Sequence, residues 1–379
     1  MEAFVKPDTL VRGIQEFLWS PEFWLPDGVS WHHLESHDDP NVYYPKSRDI
    51  HWCIVVGVVF MIVSYACEKL FIRPWARWLG VKGRQKQALP NNDLEKVYCL
   101  HKGTVPASEV QSLSQQLKMR EIDIEKWLAH RAQQNRATTR DKFCECCWHL
   151  LFYMTMFIYG CVILWDKDWM YDSKLFFKDW PHHVSNDLYY YYLVEMGFYW
   201  SQIFTITISV KRKDFKELVL HHITTLGLMY FSWFIDMVRI GAAVLILHDI
   251  ADIWVLSAKM LIYSKHQSLA ELMFTGFVIV WVITRVIIYP YWILYSVIVD
   301  VALYFPPTPS HQLLAVMLFI LQILHWIWTY FIFLAAAMKF KYGKVEKDTR
   351  SDSESSDTED EVIESNGVDG IQTHKVKSQ

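Results

Sequence analysis

Apolar runs of membrane length alternate along the chain with short polar connections. Residues 51–72, "HWCIVVGVVFMIVSYACEKLFI", form the first run, and Arg73-Pro74 ends it. A bilayer core takes roughly 20 residues of apolar helix to cross. Further runs of this kind occupy 147–165, 188–209, 219–236, 238–256, 271–295 and 312–337. A short turn near Asp236 and Arg239 separates the fourth from the fifth, and Pro290 kinks the sixth. The pattern predicts an all-α, polytopic membrane protein of about seven spans. Residues 90–140 read differently, as three short soluble helices. "NNDLEKVYC" offers an Asn cap, and "VPASEVQSLSQQL" a Ser cap with Glu close behind. "REIDIEKWLAHRAQQN" sets Ile124, Trp127, Leu128 and Arg131 at helical spacing.

Composition agrees with membrane spans: of 379 residues, 52% are hydrophobic and 16% aromatic, a load suited to membrane–water interfaces. Trp19, Trp24 and Trp31 form an aromatic foot before the first span. The net charge of -4 conceals an asymmetry, because residues 73–142 hold fourteen Lys/Arg against seven Asp/Glu while 351–361 are almost wholly acidic or hydroxylated. The connections 73–146, 211–216 and 257–270 and the tail from Lys339 carry Lys/Arg, whereas 296–311 has none. The positive-inside rule then places the N-terminus in the lumen and the C-terminus in the cytosol. Seven scattered cysteines give no disulfide framework. "CECC" at 144–147 lacks the spacing and the fourth ligand of a metal site and reads as structural thiols, with juxtamembrane palmitoylation as the alternative. The early charges and the missing h-region exclude a cleaved signal peptide, so the first span serves as the anchor.

Ionisable groups inside spans are functional hypotheses by default. One run supplies His221 and His222, and the next supplies His248, Asp249 and Asp252 in "LHDIAD". Asp249 and Asp252, at i,i+3, share a helix face. In an antiparallel hairpin the histidines and carboxylates would meet and suit proton transfer. With no Ser or Cys similarly placed, the imidazole itself could accept an acyl group from a thioester and pass it to an amine. General-base deprotonation of the amine is the one-step alternative, and interhelical hydrogen bonding without chemistry is the structural one. Glu195 and Arg285 could pair or line the same cavity, and Lys211, Arg212 and Lys213 could dock coenzyme A phosphates. The histidines are too few for a di-iron lipid oxygenase, so no metal is expected.

"SVKRKDFKELVLHH", "LHDIADIWVLSAKM" and "TRVIIYP" together resemble the longevity-assurance motif of the ceramide synthases, within a TLC-type lipid domain over 141–342. The insert at 82–142 resembles the truncated homeodomain of the animal members. His130 stands where a homeodomain uses Asn, so DNA binding is not expected. Run length, charge placement and polarity complete the expected organisation: a lumenal foot at 1–50, a first span at 51–72, and an acidic, disordered cytosolic tail at 343–379. The resemblance implies N-acylation of a sphingoid base, sphinganine or sphingosine, by fatty acyl-CoA in the endoplasmic reticulum membrane. Acyl-CoA is then a substrate and no cofactor is needed; membrane lipid and a homo- or hetero-oligomeric copy are the other expected partners. It places catalysis on His221, His222, Asp249 and Asp252, with an acyl group on His221 oriented by Asp252, and links acyl length to the 296–310 loop. The alternative is a TLC-domain protein that binds or senses lipid without chemistry. "PDGVSW" in the foot lacks the sequon common in the family. In the tail, acidic residues after Ser351, Ser356 and Thr358 fit acidophilic kinase sites, and "KVKSQ" resembles a dilysine retrieval signal.

Overall fold

The computed structural model describes residues 19–35, 43–46, 48–83, 88–101, 105–134, 137–206, 214–306 and 308–342. Lys211, Arg212 and Lys213, and the tail with Ser351, Ser356 and Thr358, lie outside them. The described residues are helical, without a strand. In chain order the principal helices are α1 (Asp49–Trp78), α2 (Asn92–Leu100), α3 (Ala107–Leu117), α4 (Glu121–Gln134) and α5 (Thr139–Leu164). There follow α6 (Asn186–Thr205), α7 (Phe215–Phe234), α8 (Val238–Tyr263), α9 (Gln267–Leu303) and α10 (Pro309–Tyr342).

Among the described residues, five helices are long and apolar enough to cross a membrane: α1, α5, α8, α9 and the Pro309–Met338 part of α10. The runs expected as third and fourth spans form α6 and α7, of 20 residues each. At 1.5 Å per residue each is about 30 Å long, enough to cross by length. They carry the polar side chains of the interior, among them Glu195, Gln202, His221 and His222, which explains their lower hydropathy.

α2, α3 and α4 enclose a core of their own from Leu94, Val110, Leu113, Ile124 and Trp127. Asn91 caps α2, accepting from the backbone N–H groups of Asp93 (3.1 Å) and Leu94 (3.2 Å). The Ser cap expected for α3 is absent. Pro106 holds the N-cap in an extended conformation, and Ser108 already lies within the first turn. Arg131 of α4 grips both carboxylate oxygens of Glu95, each at 2.7 Å.

The helices α5, α6, α7, α10, α9 and α8 each pack on the next, and α8 returns to α5, so six helices close a ring. α1 lies against the outside of α6. Their backbones approach closely, since a Cβ added to Gly57 would stand 2.9 Å from the carbonyl oxygen of Gly197. Residues 282–294 of α9 wind as a π-helix that contains Arg285 and Pro290. A wider turn of this kind accommodates the proline's missing N–H and turns Arg285 into the ring. One end of the ring is covered by the aromatic foot. Trp24, Leu25 and Leu34 pack on Ile235 and Leu314, and Ser310 Oγ donates to the carbonyl oxygen of Trp24 at 2.9 Å.

Candidate active site

Polar side chains gather inside the ring, midway along it, and the hairpin of α7 and α8 sets their level. The two helices are joined by three residues, Ile235–Met237, so His221 and His222 lie at about the height of Asp249. His222 is buried. Its Nδ1 lies 2.9 Å from the carbonyl oxygen of Leu218, and its Nε2 lies 2.8 Å from the Gln202 amide. The other end of that amide meets the Tyr153 hydroxyl at 3.2 Å. A neutral ring satisfies both contacts when the amide's NH2 faces Nε2 and its oxygen accepts from Tyr153. His222 is thus held in one tautomer by helices α5 and α6.

His221 is held differently. Its ring stands edge-on to His222 (5.6 Å between centroids) and to Trp328 of α10 (5.3 Å). Its Nδ1 is buried and has no hydrogen-bond partner among the described residues. Trp328 is in turn oriented by Asp214, to which its Nε1 donates at 3.2 Å. The two adjacent imidazoles therefore differ: one is tied at both nitrogens and the other leaves a nitrogen open.

A second imidazole pair lies beyond Trp328. His248 Nδ1 is 2.6 Å from the carbonyl oxygen of Val244, so that nitrogen carries hydrogen and Nε2 is an acceptor. His325 of α10 approaches that acceptor, Nε2 to Nε2, at 3.2 Å. Its own Nδ1 is buried without a partner among the described residues. Arg285 fastens the backbone beneath, donating to the carbonyl oxygens of Leu247 (2.5 Å) and His248 (2.8 Å), and its guanidinium lies 5.5 Å from the Trp281 ring centroid. The expected pairing of Arg285 with Glu195 does not form. The π-helical turn aims the guanidinium at the α8 backbone, and its acidic neighbours are Asp252 and Asp249.

Glu195 instead meets Asp249, with the carboxyls within hydrogen-bonding reach of each other. None of their four oxygens finds an N–H or O–H donor among the described residues. Asp252, half-buried, completes this acidic side together with Tyr153 and Tyr199. Tyr199 bridges the two sides, its ring centroid 6.1 Å from that of His222. The hairpin thus brings the histidines and acids into one interior, but His221 Nδ1 and both Asp249 oxygens have no hydrogen-bond partner among the described residues.

An apolar cavity of about 80 Å³, several times what one water needs, opens below this cluster. Its inner wall includes Thr225, Val244 and Leu321, each one helical turn from His221, His248 and His325 respectively. It extends along α7, α8 and α10 to the foot.

Residues 142–334 match the TLC domain, the TRAM, LAG1 and CLN8 family. Ceramide synthase 5 of Homo sapiens is 37% identical over 348 residues, which cover 91% of this chain and 88% of that protein. Ceramide synthase 3 of Mus musculus is 35% identical over 347 residues, 91% of this chain and 90% of that one. Ceramide synthase 4 of Bos taurus is 34% identical over 350 residues, 92% and 88% of the two chains. The chain belongs to the ceramide synthase family.

Within this member of the family, sequence reasoning missed Tyr153, Gln202, Asp214 and His325 as parts of the interior. The signal for His325 was present: "LQILHWIW" sets Gln322 and His325 at i,i+3 within a span, the same pattern that drew attention to Asp249 and Asp252. Gln202 carries no such signal, since an amide near a span's end is ordinary.

Proposed function

We propose that this protein makes ceramide by transferring a fatty acyl group from acyl-CoA to the amine of a sphingoid base, with His221 as the acyl carrier. The observation that carries this reading is the unequal use of the two imidazoles. His222 is locked by Leu218 and Gln202, while the open nitrogen of His221 sits one helical turn above an apolar cavity. An acyl chain laid in that cavity would present its thioester carbonyl to His221.

In the first step an imidazole nitrogen attacks the carbonyl, the C–S bond breaks and coenzyme A leaves as the thiol, taking the imidazole proton. In the second, the base's amine attacks the acyl-imidazole, an amide bond forms, and the amine's proton returns to the imidazole as it leaves. The neighbouring acids and His248–His325 supply the hydrogen-bonding groups that pass these protons. Arg285 and Glu195 hold this interior in shape. Lys211, Arg212 and Lys213 follow α6 in the sequence and offer charge for the phosphates of coenzyme A. The Lys/Arg asymmetry supports a multi-pass topology in the endoplasmic reticulum membrane with a lumenal foot and a cytosolic tail, on which Ser351, Ser356 and Thr358 await phosphate.

Purified protein incubated with acyl-CoA and sphinganine should form ceramide, and without sphinganine it should gain acyl mass on the peptide spanning 215–234. His221→Ala, folded as judged by its thermal transition, should lose both. A folded His221→Ala that makes ceramide at the normal rate would refute the role of this histidine.

A further inference from the structure

The cavity below the histidines reaches the foot, and one ring that lines it there comes from outside the six-helix domain. Trp24, in the foot before the first span, is among its lining residues and is itself buried. The indole packs against Phe23 (5.0 Å between centroids), Phe231 near the end of α7 (5.1 Å) and Trp19 (6.0 Å), while Ser310 Oγ donates to the residue's backbone carbonyl oxygen at 2.9 Å. Ser310 and His325 are both on α10, 15 residues apart, so the foot lies roughly 22 Å along the helix from the histidine level. The walls between are apolar: Leu318 and Leu314 on α10, Leu228 on α7, and Val301 at the end of α9, within the 296–310 segment.

Resting on the acyltransferase reading above, we propose that Trp24 is the end-stop of the acyl cavity, so that the foot sets the longest acyl chain the enzyme accepts. A well-packed interior resists even one extra methylene, and Trp24 is held too firmly to swing aside. The 296–310 loop lines one side of the cavity, whereas the foot closes its end. Each methylene given room beyond Trp24 is worth about fourfold in binding at the usual transfer energy per methylene.

The test is a competition. Full-length protein in membranes free of other ceramide-forming activity is given sphinganine and an equimolar ladder of saturated acyl-CoAs, and the ceramides are resolved by mass. Trp24→Ala should move the preferred chain to longer acyl groups, changing the ratio of long to wild-type product by tenfold or more. Trp24→Phe, which keeps a ring and the foot's packing, should move it less and in the same direction. Glu22→Ala, at an exposed foot residue that does not line the cavity, should keep the wild-type ladder. Ceramide formed by Trp24→Ala and Trp24→Phe with the wild-type distribution would overturn the end-stop while leaving the acyltransferase reading intact. So would an equal shift in Glu22→Ala, which would mean a loosened foot. Wild-type protein that makes no ceramide from any donor would overturn both.

Discussion

The Nε2 atoms of His248 and His325 face each other at 3.2 Å. Only one of them can carry hydrogen in a neutral pair, and His248 already spends its Nδ1 hydrogen on Val244, so the bridging hydrogen belongs to His325. This contact ties α8 to α10 across the ring. His325→Leu would leave a buried acceptor on His248 unpaired, at a cost of about 1–3 kcal/mol. His325→Gln keeps an N–H donor and should recover part of that loss. Thermal unfolding in detergent reads the difference; equal melting of the two variants would mean the bond contributes nothing.

Glu195 and Asp249 present carboxyls to each other with no donor between them, and two carboxyls hydrogen-bond only through a proton. Glu195→Gln supplies that hydrogen from an amide and should leave thermal stability unchanged or raise it. Glu195→Leu offers Asp249 nothing and should lower stability by about 1–3 kcal/mol. A larger loss in the glutamine variant than in the leucine variant would contradict this pairing.

His182 lies in the connection between α5 and α6, outside the spans. Its Nε2 donates to the carbonyl oxygen of Lys178 at 2.9 Å, and its Nδ1 is buried with no partner among the described residues. Burial, and then the charge of Arg239, depress the imidazole from 6.5 to about 4. Between those values the unfolded chain binds a proton that the folded chain refuses, so stability falls as pH drops from 6.5 towards 4. Above 6.5 both states are neutral and this contribution is constant. The melting temperature should therefore fall between pH 7 and 4.5 more steeply in the wild type than in His182→Gln; parallel curves would count against it.

Gly57 lets α1 reach the backbone of α6. Gly57→Ala sets its methyl against the carbonyl oxygen of Gly197, where neither backbone can yield without separating the helices. A loss of about 1–3 kcal/mol is expected, with reduced acyl transfer because α6 carries Glu195, Tyr199 and Gln202. An unshifted melting temperature would show that the helices part freely.

Much of the fold was legible in the chain. Hydrophobic run lengths locate the long helices because the thickness of a bilayer is fixed, and the helical spacing of Ile124, Trp127 and Leu128 located α4 in the insert. The chemistry of the interior was legible as residue types, since a span tolerates His, Asp or Glu only for a reason. The Ser cap failed because several nearby residues could begin a helix, and local sequence does not choose among them.

The order of apolar and polar residues by itself determined an all-helical membrane protein whose ionisable groups cluster in neighbouring helices. Only the tertiary structure decided that Arg285 holds backbone carbonyls instead of Glu195, that Gln202 locks His222 while His221 keeps an open nitrogen, and that the foot lines the cavity. Each of these depends on the direction in which a side chain leaves its helix and on what a distant helix brings to meet it. Periodicity along one segment fixes a face, and the packing of six fixes the partner.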